Sequence, residues 1–355
     1  MDKSKILTIG CGGCGCNQLD ILMDLDRRYT GLFANTNLNE MQGLKNFNID
    51  RRCFYIANAD GTGKNRDLAE EYMKEESAKF IETITRFANQ TYVLLLTSAN
   101  GGTGSKISLM MAKLIKKACP SKIVSLVVTF PSMEESDIDY QNAIEFWNEL
   151  INFKNKGYID SFQFIDNDKS SNEEEVNIKA MKELDESLSF ANGKLDNSDL
   201  ERVHSTSGYK MFLKLDNKAT DFKTALNDFQ KNTMFYIPEN NHLECDSIVG
   251  DLSNLSQENV IDQIDIYGFS KYNKNNESNF NLLLLGGCDT PKDVIMLMKE
   301  ALRESKKKKR SRISEEDIIV KIDKEDKSEK AVNQQGRLSS KDIDAIYNDD
   351  DFWND

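Results

Sequence analysis

No stretch of about 18 consecutive apolar residues occurs in this chain, so it holds no candidate for an ordinary transmembrane helix. Its first residues, MDKSKILTIG, read as a charged turn entering a strand and lack the apolar centre of a secretory signal. The expectation is a soluble cytoplasmic protein with no membrane partner. Positive charge is in deficit: 46 Lys and Arg stand against 59 Asp and Glu, giving a net charge of −13. A body this acidic repels phosphate backbones, which argues against direct DNA binding by its overall surface and leaves only local basic patches. Histidine is nearly absent. The two present, His204 and His242, are isolated in sequence and offer no second pair for a zinc site. The seven cysteines are odd in number and lack the spacing of a secreted disulfide framework, which fits reduced thiols. Cys11, Cys14 and Cys16 crowd one glycine loop, where they read as small residues tolerated between glycines. No metal-ligand set can be assigned.

What is present is a long alternation of strand and helix. At 355 residues, 39% apolar and 30% charged, the chain suits two domains with a real core and a very polar surface. Short apolar runs at residues 5–10 (KILTIG), 31–35, 52–57, 92–97 (YVLLLT), 123–129 and 161–166 read as strands. Helical spacing falls between them: 17–25, a long amphipathic helix over 67–89, then 105–118 and a helix from Asp139. Strands this uniformly apolar predict an α/β fold with a doubly wound parallel sheet covered on both faces. Residues 173–195 read as a long central helix. Strand candidates at 210–215, 234–237, 264–268 and 280–285, with a helix over 291–304, predict a smaller α/β second domain. From Ser305 the composition turns to KKKKRSR and then to an acidic, polar tract ending NDDDFWND. The expected division is a nucleotide-binding domain at 1–172, the connecting helix at 173–195, a second domain at 196–300, and a charged C-terminal helix and tail at 301–355.

Ligands of open α/β sheets sit at the carboxyl ends of the strands, so the loops there carry most weight. The first, G-C-G-G-C-G-C-N over 10–17, follows the first strand and opens a helix. Glycines let backbone N–H groups approach phosphate, and a helix N-terminus adds positive potential. It contains the dinucleotide pattern G-x-G-x-x-G, but the acid that would bind a ribose at the end of strand two is missing; Asn35-Thr36-Asn37 stand there. The second loop, S-A-N-G-G-T-G-S over 98–105, again lies between strand and helix, and is not a Walker A because Lys106 follows the serine. Two such loops suit a di- or triphosphate cradled from two sides. A third, at 58–66, carries Lys64 and Arg66 among glycines and reads either as a flap over a terminal phosphate or as a plain surface loop.

This combination resembles the tubulin/FtsZ superfamily of GTPases. The family's first loop, G-x-G-G-x-G-x-N, matches residues 10–17 throughout, and its signature G-G-G-T-G-[ST]-G is similar to Asn100-Gly101-Gly102-Thr103-Gly104-Ser105-Lys106, with the outer glycines replaced. Those replacements, the lysine-rich segment and the charged tail make the TubZ branch of plasmid and phage partition systems the nearest resemblance, over residues 3–300. It implies GTP/GDP with Mg²⁺ as cofactors. By position, Gly12, Gly13, Cys14, Gly15, Gly101, Gly102, Thr103, Gly104 and Ser105 would hold the α- and β-phosphates, with Asn100 at the head of that loop. Asn17 would reach guanine or ribose, while Asn35, Thr36, Asn37, Asp60, Gly61, Thr62 and Gly63 would surround the γ-phosphate and Mg²⁺. Pro131 and Glu135 would bracket the ribose, and Asn167 and Asn177 would read the base or ribose. Where FtsZ has an arginine four residues after that acid, this chain has Asp139.

None of these loops contains a histidine to activate water. In the superfamily, an acidic loop after the central helix supplies that group from the next subunit of a filament. Here Asp196, Asp199 and Glu201 occupy the place; Asp196 and Asp199 have the family's three-residue separation, and helix capping is the competing role. The implied partners are a second copy of the chain, head to tail, and a DNA-binding adaptor of TubR type. The adaptor would dock on the tail, where apolar residues such as Ile343, Ile346, Phe352 and Trp353 lie in acidic surroundings. The basic run at 306–312 reads as a solvated helix extension or as a patch for phosphate or acidic protein.

Overall fold

The fold comes from a computed structural model, which describes residues 1–57, 61–219, 221–238 and 243–316, with side chains as far as Lys307. Met1–Arg310 form one compact unit; of the second, Ser311–Asp355, only the backbone of residues 311–316 is described. Asp60, His242 and the tail motif at 343–353 lie outside the described residues.

Ten strands form one sheet: β1 (Ile6–Cys11), β2 (Thr30–Asn35), β3 (Cys53–Tyr55), β4 (Tyr92–Ser98), β5 (Ile123–Phe130), β6 (Ser161–Asp166), β7 (Gly208–Asp216), β8 (Leu243–Leu252), β9 (Ile264–Lys274) and β10 (Phe280–Cys288). Their order is β3-β2-β1-β4-β5-β6-β7-β10-β8-β9. Every pair from β3 to β7 is parallel, β10 runs antiparallel to β7 and β8, and β9 returns parallel to β8. Helices α1 (Gly12–Leu25), α2 (Leu38–Gln42), α3 (Arg66–Glu75), α4 (Ser77–Thr85), α5 (Thr103–Ala118) and α6 (Asp137–Asn155) alternate with the first six strands. Then follow α7 (Glu173–Ser187), α8 (Asn197–Ser205), α9 (Phe222–Asn232), α10 (Gln257–Ile261) and α11 (Lys292–Glu316).

The parallel strands are buried on both faces, as their unbroken apolar runs require. Successive residues alternate between two cores. Leu7, Ile9, Val93 and Leu95 join residues of α3 to α6 on one face, while Ile6, Leu94 and Leu96 join Leu19 and Leu22 of α1 and Met181 and Leu184 of α7 on the other. Among the described residues no helix is long and apolar enough to cross a membrane.

Several expected boundaries move. The helix read over 67–89 is two, because Glu76 (φ −88°, ψ 3°) leaves the helical path between α3 and α4. The central helix stops at Ser187, whose hydroxyl donates to the Leu184 carbonyl. Leu188, Phe190 and Leu195 continue the apolar spacing and are buried, but on a largely exposed loop turned by Gly193 at φ +57°. Residues 234–237 make a single bridge, Ile165 to Phe235, rather than a strand. α11 runs beyond Ser305, since its Lys- and Glu-rich sequence contains no helix breaker.

At the amino ends of β4 to β7 lies a buried polar cluster. The Lys210 ammonium donates to Tyr92 Oη at 2.9 Å and Ser125 Oγ at 2.8 Å and lies 3.2 Å from His204 Nδ1. No carboxylate is among these partners, and burial pushes Lys210 down to about 7. Burial, followed by the Lys210 charge, holds His204 well below its ordinary range. Between the folded value and the unfolded lysine value near 10.4, the unfolded chain binds the extra proton, so stability rises with pH across that window. Lys210→Met should flatten the rise: between pH 7 and 9.5 the wild type should gain on the order of 1–3 kcal/mol over the variant in denaturant unfolding. Parallel stability–pH curves for the two proteins would refute this.

Candidate nucleotide-binding site

The strand order reverses direction of build between β1 and β4, and at that switch point the loops leaving both strands meet. α1 and α5 begin there. Neither has a side-chain cap, whereas α2, α3, α7, α8, α9 and α10 each start on an Asn, Asp or Ser side chain that accepts from a first-turn N–H. Unsatisfied N–H groups at two helix ends therefore face one cavity of about 270 Å³. Of the residues singled out from sequence, Gly12, Gly13, Cys14, Asn35, Asn37, Gly61, Gly63, Gly101, Gly102, Thr103 and Gly104 line it.

The glycines are needed for backbone-to-backbone contact. Gly12 has φ +70°, and a Cβ there would lie 2.8 Å from Gly104 N; a Cβ on Gly104 would lie 2.5 Å from the Cys11 carbonyl oxygen. The third loop is laid on the second, since a Cβ on Gly102 would stand 2.7 Å from the Lys64 backbone. Three threonine hydroxyls close this seam: Thr103 Oγ1 is 2.9 Å from Thr36 Oγ1 and 3.1 Å from Thr62 Oγ1. Asn35 and Asn37 both donate to the Glu40 carboxylate, at 2.8 and 3.3 Å, and Asn37 also caps α2.

Other predicted residues stand outside the cavity lining. Ser105 is buried, with its hydroxyl bonded to the Gly101 carbonyl and receiving Arg66 Nε at 3.1 Å. Arg66 points away from the cavity, toward Glu145 and Glu149 of α6. Asn100 donates to Asp139 at 3.1 Å. Gly15 packs under β4, where a Cβ would lie 2.1 Å from the Leu96 carbonyl oxygen. Asn17 is exposed on α1, Pro131 and Glu135 occupy the loop between β5 and α6, and Asn167 opens the turn after β6. Burial, followed by the Asp139 charge, raises the Glu135 carboxyl. Asn177, on α7, accepts from Gln18 Nε2 at 2.8 Å; that same amide donates to Thr129 Oγ1 at 2.7 Å, and the Cys14 thiol lies 3.8 Å from that hydroxyl. Thr36 and Thr62 fall inside the two stretches, 35–37 and 60–63, that the resemblance sets around the γ-phosphate; Gln18 and Glu40 carry no sequence motif, and only the packing reveals them. The Gln18 Oε1 atom is buried without a partner. All seven cysteines are free, and burial pushes the Cys14 thiol up to about 11, which leaves it protonated and unreactive.

The acidic loop is elsewhere. Asp196, Asp199 and Glu201 follow α7, whose 15 residues span about 22 Å from the cavity side of the sheet, and none of the three lines the cavity. Asp196 and Asp199 form a capping box on α8. Asp199 is additionally held by Lys271 of β9 at 2.6 Å, while the Asp196 side chain is two-thirds exposed at 66%.

Residues 5–173 match the family model described as the GTPase domain of the Tubulin/FtsZ family. They are a Tubulin/FtsZ-family GTPase domain. The matched span ends on the first residue of α7, so the domain holds both uncapped helices, all three glycine loops and the β1/β4 switch. The whole chain is 25% identical to the tubulin-like protein TubZ of Clostridium botulinum C phage, over 99% of each chain. In structure it resembles TubZ of Clostridium botulinum phage c-st with its C-terminal tail truncated (TM-score 0.78, 24% identity, 87% of this chain and 100% of that one). It also resembles a GTPγS-form protofilament of Bacillus thuringiensis serovar israelensis TubZ (TM-score 0.70, 16% identity, 87% of this chain and 94% of that one).

Gly104→Ala should open the crossing between the two phosphate loops and weaken binding of a fluorescent GTP analogue by at least about tenfold, because the backbone cannot yield the missing ångström without shifting a helix start. Gly43→Ala, where a Cβ meets nothing closer than 3.6 Å, should bind as wild type does. Equal affinities for the three proteins would show that the crossing does not shape the site.

Proposed function

We propose that this protein binds and hydrolyses GTP as the subunit of a head-to-tail filament that segregates plasmid or phage DNA. The observation that carries the reading is the division of the chemistry: two uncapped helix ends converge on one cavity, while the acidic loop lies at the far end of α7. The N–H groups and the glycine backbone hold phosphate, and a carboxylate from the next subunit orients the attacking water. The names of two similar proteins, a phage TubZ and a TubZ protofilament in its GTPγS form, support the filament and the nucleotide.

Bound Mg²⁺ supplies charge neutralisation on the phosphate oxygens. The hydroxyls of Thr36, Thr62 and Thr103 and the Glu40 carboxylate are hard oxygen donors beside the cavity, a set suited to a cation that keeps water and phosphate as its main ligands. Gln18 and Asn177 sit on the α7 side of α1, where a base or ribose would extend from the phosphates. In this reading residues 1–172 bind nucleotide, 173–195 connect, 196–300 present the acids, and 301–355 carry the cargo contact through a DNA-binding adaptor of TubR type. The protein works in the cytoplasm.

Asp196 and Asp199 differ in what else they do. Asp199→Ala removes the 2.6 Å Lys271 ion pair and half of the capping box, so it should lower the melting temperature as well as hydrolysis; Asp196→Ala removes the other half of the box and a looser 4.0 Å approach to the same lysine from an exposed side chain, and should lower the melting temperature less. Each should slow phosphate release at least about tenfold while leaving GTP affinity intact. The measurement pairs phosphate release with 90° light scattering across protein concentration. Hydrolysis linear in protein without scattering, or full rates in both variants and in Glu201→Ala, would refute the shared active site.

A further inference from the structure

The cavity has one cation among its described lining residues, Lys64, and one carboxylate, Glu40. A multiply charged phosphate chain entering it meets no other ammonium or guanidinium among the described residues of that lining, since Arg66 pairs with Glu145 and Glu149 instead. Yet the Lys64 ammonium is already engaged. It donates, at 2.5 and 2.7 Å, to both carboxylate oxygens of Asp139, a residue outside the cavity lining.

The two partners are unequally fixed. Asp139 is fully buried at the start of α6, where it also accepts from Asn100 Nδ2 at 3.1 Å and from the Ser136 backbone N–H at 3.2 Å. Burial alone would raise its carboxyl, but the Lys64 and Ser136 bonds outweigh that and hold it low, so it stays ionised. Lys64 is the movable partner. Its side chain is 45% exposed, and its backbone, at φ +65°, is the only non-glycine in the left-handed region among the described residues. It follows Gly61 (φ +83°) and Gly63 (φ +57°), beside which a Cβ would meet nothing within 4 Å. What holds the loop is Thr62, through Thr103, and the Lys64 carbonyl, which accepts from Asn142 Nδ2 at 3.0 Å.

We propose that Lys64 is the residue that distinguishes nucleoside triphosphate from diphosphate, its ammonium moving from Asp139 to the terminal phosphate. An ammonium has three donors, so one bond to Asp139 can persist while the others turn to phosphate oxygens. In the absence of a terminal phosphate the lysine returns to the carboxylate, and the loop over residues 61–65 changes conformation with it. Asp139 thereby acts as the competing anion that keeps Lys64 from binding diphosphate. The assignment rests on the cavity being the nucleotide site.

Dissociation constants for GTPγS and GDP test it, measured with the full-length protein below the concentration at which it scatters light. Lys64→Met should weaken GTPγS by about tenfold or more, the size of one charge-assisted hydrogen bond, and GDP by less than about twofold. Lys64→Arg should recover part of the difference. Asp139→Asn, which removes the competing charge but keeps the side-chain shape, should strengthen GTPγS; opposite signs at the two ends of one ion pair are not what a purely structural bridge gives. Equal weakening of both nucleotides in Lys64→Met, or no change in either, overturns the assignment. Wild-type protein that binds neither nucleotide overturns the site itself, and the assignment with it.

Discussion

The structure depends on one close approach: the backbone of the β1–α1 turn crosses the backbone of the β4–α5 turn at Gly12 and Gly104, with no room for a methyl group on either. That crossing lies where the order of a parallel sheet reverses, the one place in a doubly wound fold where two strand-to-helix turns open side by side. It brings two helix ends with unsatisfied N–H groups to one cavity, and the loop over residues 61–65 then rests on the outer of the two turns at Gly102. An acidic protein can thus hold an anion without a basic patch. The positive potential comes from aligned peptide dipoles and directed N–H groups, and Lys64 is the single cationic side chain they leave room for among the described lining.

α7 is the second constraint. It packs on α1 through the core that contains Val176, Ala180, Met181 and Leu184, and its amide partner Asn177 is tied through Gln18 to Thr129 at the end of β5. A rigid helix anchored this way at its cavity end fixes where its far end delivers Asp196 and Asp199. There the acids are built into a helix cap and an ion pair to β9, which give the loop a defined conformation. The buried cluster of Lys210, His204, Ser125 and Tyr92 holds the other end of α8 to the middle of the sheet.

The six parallel strands and the helices α1 and α5 were legible because burial on both faces forces unbroken apolar runs, and glycines must stand where turns meet phosphate. The break at Glu76 and the end of α7 at Ser187 were not, since apolar spacing continues through both while the backbone departs from the helix. Strand β8, with Glu244, Asp246 and Asp251 among its apolar residues, gives a weak periodic signal and takes its form from the antiparallel pairing of β10. In the site, the glycines were readable as a motif. Gln18 and Glu40 were not, because each is a single polar side chain that a helix turns toward the site.

By itself the sequence determined the chemistry available: glycine turns before helices, a shortage of cations, no histidine in any glycine loop, and acids placed after a long helical stretch. These are local properties, set by residue type and spacing. Tertiary structure alone decided that Arg66 pairs with Glu145 and Glu149 outside the cavity while Lys64 lines it, and that Asp139 holds that lysine. It also decided that Asp199 is closely paired and largely buried while Asp196 stands exposed at the edge of the same lysine. The physical reason is that a charge takes its role from whichever partner the fold brings within about 3 Å, and that distance is fixed by the packing of elements far apart in the chain.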